Sequence, residues 1–120
     1  MIGLTTYPWK HFDSPEEISS DYYSRLGQHS SKPIAFTEIG WPSSADVGSS
    51  ESEQAEFLEV FLERTGGMDI EMVNWLFLHD TEIGGIAGSV SDEAVGTIAL
   101  RNMDGSEKEV YAAWAALNAE

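Results

Sequence analysis

Cysteine is absent from the 120 residues, and Lys plus Arg number only 6 against 21 Asp plus Glu. The first absence removes disulfide staples, thiolate metal sites and cysteine nucleophiles. The second leaves a formal net charge of −15, which disfavours nucleic acid and anionic membrane surfaces as partners. No apolar run approaches the roughly 20 residues of a membrane span. Met1 to Lys10 has neither the basic start nor the apolar stretch of a secretory signal. Gly84-Gly85 with Gly88 does not make a dinucleotide fingerprint, and phosphate-loop and nucleophile-elbow motifs are missing. No cofactor is implied. Nor is a metal: aligning Asn102, Asp104 and Gly105 on a calcium loop puts Leu100 and Tyr111 where oxygen ligands are needed.

What is present reads as one domain over residues 1–120, long enough for a modest core without staples. Three apolar, strand-like runs stand out, Ile2 to Tyr7, Ile34 to Ile39 and Met72 to Leu78. The last is nearly continuous, the pattern of a strand covered on both faces. Each is followed by polar residues and a helical pattern, giving the order β-α-β-α-β-α. Ser14, Ser50 and Ser106 each precede a glutamate by three residues, the spacing of a capping box at a helix start. Behind them run apolar residues at spacings of three and four: Ile18, Tyr22 and Leu26; Phe57, Leu58, Phe61 and Leu62; Val110, Ala113, Trp114 and Leu117.

Parallel strands joined by helices belong in a doubly wound sheet or a piece of a (β/α)8 barrel. A full barrel needs about 250 residues and eight units, so the expected fold is α/β with three βα units, a partial (half) TIM barrel. In both folds, chemistry collects at the carboxyl ends of the strands. Those loops hold Tyr7, Trp9, Lys10 and His11; then Glu38 and Trp41; then His79 and Asp80. Glu38 ends an apolar strand just before a turn that Gly40 and Pro42 make abrupt. A carboxylate there can attack or stabilise a cationic centre, and an aromatic ring nearby can stack on the apolar face of a sugar. The plainer alternative makes Glu38 a cap or an ion-pair partner of Lys10 or Arg101.

The segment from Pro33 to Ser44, with its string Thr37-Glu38-Ile39-Gly40-Trp41-Pro42, resembles the seventh-strand motif of retaining (β/α)8 glycoside hydrolases, the clan of endo-galactanases, β-1,3-glucanases and cellulases. Gly3 to Trp9 looks like the sixth strand, and Val73-Asn74-Trp75 like the eighth. Gly96 to Lys108, followed by Tyr111 and Trp114, is similar to the entry into the last barrel helix. The resemblance covers essentially the whole chain. It implies Glu38 as nucleophile, Tyr7 hydrogen-bonded to it, Trp75 as the floor of a sugar subsite that often precedes a non-proline cis peptide, and an oligo- or polysaccharide substrate. Trp41, Trp9, His11, His79 and Asp80 become candidate substrate contacts, and an extracellular location is suspected.

Retaining hydrolysis also needs an acid/base carboxyl about 5 to 5.5 Å from the nucleophile. In the clan this is a fourth-strand glutamate, usually after asparagine, and no Asn-Glu pair occurs in this sequence. The expectation is a nucleophile-bearing portion, inactive alone, that associates with the missing amino-terminal half of the barrel or with copies of itself. A non-catalytic half-barrel that binds carbohydrate or self-associates is the alternative. A small doubly wound domain of unrelated function is the third.

Overall fold

The three apolar runs do form strands. β1 (Ile2–Thr5), β2 (Ile34–Ile39) and β3 (Ile70–Trp75) pair side by side, all parallel, in the order β1-β2-β3. The structure is a computed structural model describing residues 1–83 and 89–117, so the Gly84-Gly85 and Gly88 positions lie outside the described residues. The sheet is open, with β1 and β3 as its two edges. α1 (Glu51–Arg64) crosses from β2 to β3, and α2 (Ser89–Gly96) and α3 (Glu109–Ala116) follow β3.

α1 starts as expected, with the Ser50 hydroxyl accepting from the Glu53 N–H. It buries Phe57, Leu58 and Phe61, but Leu62 turns outward at 42% exposure. The expected helix behind Ser14 does not form. The capping contact is made, since Glu17 Oε2 accepts from the Ser14 N–H, yet Pro15–Glu17 and Ser24–Gln28 are separate 3-10 turns. Ile18 leaves the first turn in extended conformation. Its carbonyl accepts from Arg64 Nε of α1 at 2.9 Å. Ile18 and Tyr23 are both buried in the core, and a spacing of five cannot share one helical face. Tertiary packing therefore overrides the 18, 22, 26 stripe. α3 also starts late: Lys108 is its N-cap, because the Ser106 hydroxyl is bonded to the Asp104 carboxylate at 2.6 Å. Ala113 is exposed and Leu117 largely so. α2 lies where the sequence suggested only a long loop.

The core is a chain of rings. Tyr23 meets Phe36 and Phe61 edge-on, Phe61 leads to Phe57, and Phe57 touches Trp41 and Trp75. Leu4, Ile34, Phe36, Ile39, Val73 and Trp75 supply its strand side, which is the side α1 and α3 cover. The residues between them in the strands include exposed Gly3, Thr5, Met72 and Asn74. One sheet face is thus packed and the other is bare along the edge strands, while Ala35 of the central β2 is buried. This corrects the expectation that the third strand is covered on both faces. That strand begins earlier and stops at Trp75, leaving Phe77 and Leu78 beyond it and 43% and 52% exposed.

Candidate functional site

A bulge in β2 sets the position of Glu38. Against β1, Phe36 pairs with Leu4 and Glu38 already with Thr5; against β3, Phe36 pairs with Val73 and Ile39 with Trp75. β2 therefore carries one extra residue around Thr37 and Glu38. In a regular strand, residues 34, 36 and 38 share a face, and Glu38 would enter the core after Ile34 and Phe36. With the extra residue Ile39 takes that place, fully buried, while Glu38 stays half-buried at the sheet end. A bulge re-aims a side chain in this way.

Glu38 meets Tyr7, just beyond the end of the neighbouring strand. The Tyr7 hydroxyl donates to Glu38 Oε2. This hydrogen bond, with partial burial and the carboxylate charge, pushes the Tyr7 pKa up to about 12. The phenol stays protonated as a donor to an anion. No described residue hydrogen-bonds the other carboxylate oxygen. The backbone holds the two strand ends together, since the Thr6 N–H donates to the Glu38 carbonyl at 3.1 Å. Asn74 Nδ2 donates to the Thr37 carbonyl from the β3 side.

Around this pair the first loop supplies cationic and aromatic groups. Lys10 Nζ sits 5.1 Å from the Tyr7 ring centre and 5.4 Å from that of Trp9. Trp9 meets Tyr7 edge-on at 6.3 Å, and its buried indole N–H has no hydrogen-bond partner among the described residues. Lys10 also lines two small clefts. One, of about 330 Å³, is lined by Trp9, Phe12, Asp13, Pro42 and Glu53. The other, of about 340 Å³, is lined by Tyr7, His11, Tyr22 and Tyr23. His11 is exposed at the rim.

Three expected substrate contacts are placed elsewhere. Trp41 is 2% exposed and stacks on Phe57 at 5.5 Å, with Nε1 donating to Glu53. Trp75 is 5% exposed, and its Nε1 donates to the Ile98 carbonyl at 2.7 Å. Both rings are core, because residues 98–100 pack over the turn after β2; Trp41 reaches only the wall of the cleft beside Trp9. Gly40 permits that approach: a Cβ there would lie 2.7 Å from the Ile98 side chain. No cis peptide occurs among the described residues. Asp80 is tied into a clasp: Oδ1 accepts from Lys108 Nζ at 2.6 Å and from the Ala99 N–H at 3.2 Å. His79 is exposed and joined through its backbone to Arg101.

The clasp was not read from the sequence. Lys108 Nζ, fully buried, donates to Asp80, to Ser43 Oγ at 2.9 Å and to the Thr97 carbonyl at 2.9 Å. Burial lowers the Lys108 pKa, while Asp80 opposes that shift. Beside it, buried Gln54 Nε2 reaches the carbonyls of Trp41, Ile98 and Ala99. No local pattern marks either residue, since their partners lie far away in sequence. The bulge did leave a signal: Ile34, Phe36 and Ile39 are spaced two and then three. No protein-family model matches this chain, and no curated protein matches it.

Proposed function

We propose that the chain is the carboxyl-terminal portion, units six to eight, of a retaining (β/α)8 glycoside hydrolase, with Glu38 as nucleophile and Tyr7 as its orienting donor. The observation that carries this reading is the Tyr7 hydroxyl bonded to Glu38 across the carboxyl ends of two paired parallel strands. The bulge that keeps Glu38 out of the core supports it, as does a parallel sheet with helices on one face, like a section of barrel wall. Tyr7 holds Oε2 and leaves Oε1 to attack the anomeric carbon. As that bond forms, the bond to the leaving oxygen breaks, and the departing oxygen takes a proton from an acid on the missing half. The same residue, now a base, takes a proton from water, whose oxygen bonds the anomeric carbon as the bond to Glu38 breaks, freeing the sugar and restoring both carboxyl groups.

The partner is the set of remaining βα units, which would pair with both open edges and cover the bare face. A second reading, self-association without catalysis, is favoured by the same unpaired edges, which invite further strands. A second copy would double the formal charge of −15, so repulsion works against it. Hydrolysis assays on the purified chain test the proposal. Loss of the general acid costs about 10² to 10⁴ in rate, so a natural oligosaccharide stays intact while an activated aryl glycoside reacts slowly, and Glu38→Gln abolishes that reaction. Glu38-dependent cleavage of a natural oligosaccharide by this chain alone would refute the fragment reading. A stable monomer in light scattering at tens of micromolar (roughly, above common interface affinities) would remove the self-association reading.

A further inference from the structure

The cleft of about 340 Å³ lined by Tyr7 and Tyr23 has no part in the chemistry proposed for Glu38. Its two most enclosed lining residues both carry hydroxyls, Thr6 at 8% exposure and Tyr23 at 1%. Neither hydroxyl has a hydrogen-bond partner among the described residues. Thr6 stands near enough to Tyr23 to draw its pKa back down against the rise that burial causes, but the geometry does not join the two oxygens. A buried hydroxyl left unpaired costs stability, and folded interiors seldom keep one without a reason. Here two occur together against one cleft.

The charge around the cleft is a second observation. No Asp or Glu lines it, in a chain that has 21, whereas Asp13 and Glu53 line the neighbouring cleft. Lys10 and His11 line it instead. Lys10 forms no ion pair among the described residues; its ammonium lies near the Tyr7 and Trp9 rings. The Tyr7 hydroxyl is committed to Glu38, which does not line the cleft. Leu4, Tyr22 and Leu26 supply apolar wall. Two hydroxyl donors and an unpaired ammonium recognise an oxyanion, and walls of leucine and tyrosine ring suit an apolar, aromatic body.

We propose that this cleft binds a small aromatic carboxylate, with the Thr6 and Tyr23 hydroxyls donating to its oxygens and Lys10 balancing its charge. Both hydroxyls are sealed from solvent in the free protein, so the ligand parts the cleft floor to reach them. The site stands independently of the carbohydrate reading. Calorimetric titration of the purified chain with benzoate, and with benzamide as a neutral probe of the same shape, tests it on the wild type and on Lys10→Met, Tyr23→Phe and Thr6→Val. The expected result is binding of benzoate at least tenfold tighter than benzamide, weakened about tenfold in each variant, as loss of one contact to a charged group implies. Without ligand, Tyr23→Phe and Thr6→Val should melt at or above the wild type, because each removes an unpaired buried hydroxyl and keeps the shape of the side chain. Equal affinity for the two probes, unchanged benzoate affinity in both hydroxyl variants, or no binding of benzoate by the wild type at about 10 mM would overturn the proposal. Melting of both hydroxyl variants below the wild type would also overturn it, since the hydroxyls would then hold the fold rather than wait for a ligand. None of these outcomes bears on Glu38.

Discussion

Two carboxylates follow neighbouring strands of the same sheet, and their surroundings separate them. Glu38, at the end of β2, is half-buried and receives a neutral phenol on one oxygen. Asp80, beyond β3, is clamped by a fully buried lysine and a backbone N–H. A carboxylate held by one neutral donor keeps an oxygen for chemistry, whereas one neutralised inside a clasp is committed to holding loops together. The sequence gives both the same kind of position, after an apolar strand and near aromatics. What distinguishes them is the bulge at one end and Lys108 at the other.

If this contrast is right, the largest loss of stability falls on the clasp side. Lys108→Ala leaves Asp80 buried without its partner and should cost about 3–5 kcal/mol in urea unfolding; a loss under about 1 kcal/mol would make the clasp incidental. Trp75→Ala should cost a similar amount, about 3–5 kcal/mol, because it removes a buried ring and its bond to Ile98. On the other side, Glu38→Gln keeps an acceptor for the Tyr7 hydroxyl and loses only the charge of a half-buried group, so it should cost about 1 kcal/mol, and a drop matching that of Trp75→Ala would make Glu38 structural.

The smallest effect is a titration. The Tyr7 pKa is raised from 10.0 to about 12, so its bond to Glu38 contributes stability fully below pH 10 and loses it as pH rises through about 12. Tyrosinate absorbance should show two late-titrating phenols, Tyr7 and the buried Tyr23, whose pKa burial pushes up further still; the Tyr7 step alone disappears in Tyr7→Phe and moves back toward 10.0 in Glu38→Gln. A Tyr7 titration unmoved by Glu38→Gln would break the pairing.

Much of the architecture was legible because it is written locally. Apolar runs marked the three strands, and Ser50 with Glu53 marked the start of α1. The first helix misled because the stripe of Ile18, Tyr22 and Leu26 is a local pattern overridden by Arg64 of α1 and the burial of Tyr23. Glu38 and Tyr7 were readable as strand-end residues. Trp41, Trp75 and Asp80 were placed in the same cleft only because sequence position cannot tell which way a strand-end side chain turns. Their burial follows from the Ile98–Leu100 segment folding back over the turn at Gly40, a contact between residues about sixty apart.

The role of Glu38 is tested most directly by chemical trapping. An activated fluorosugar reacts with a retaining nucleophile without needing a proton for its leaving group, so the proposed role of Glu38 can be tested without an acid/base residue. Intact mass followed by peptide mapping should show a single glycosyl adduct on the peptide from Pro33 to Ser44, carried by Glu38 and absent in Glu38→Gln. An adduct on another carboxylate, or one that persists in Glu38→Gln, would contradict the account.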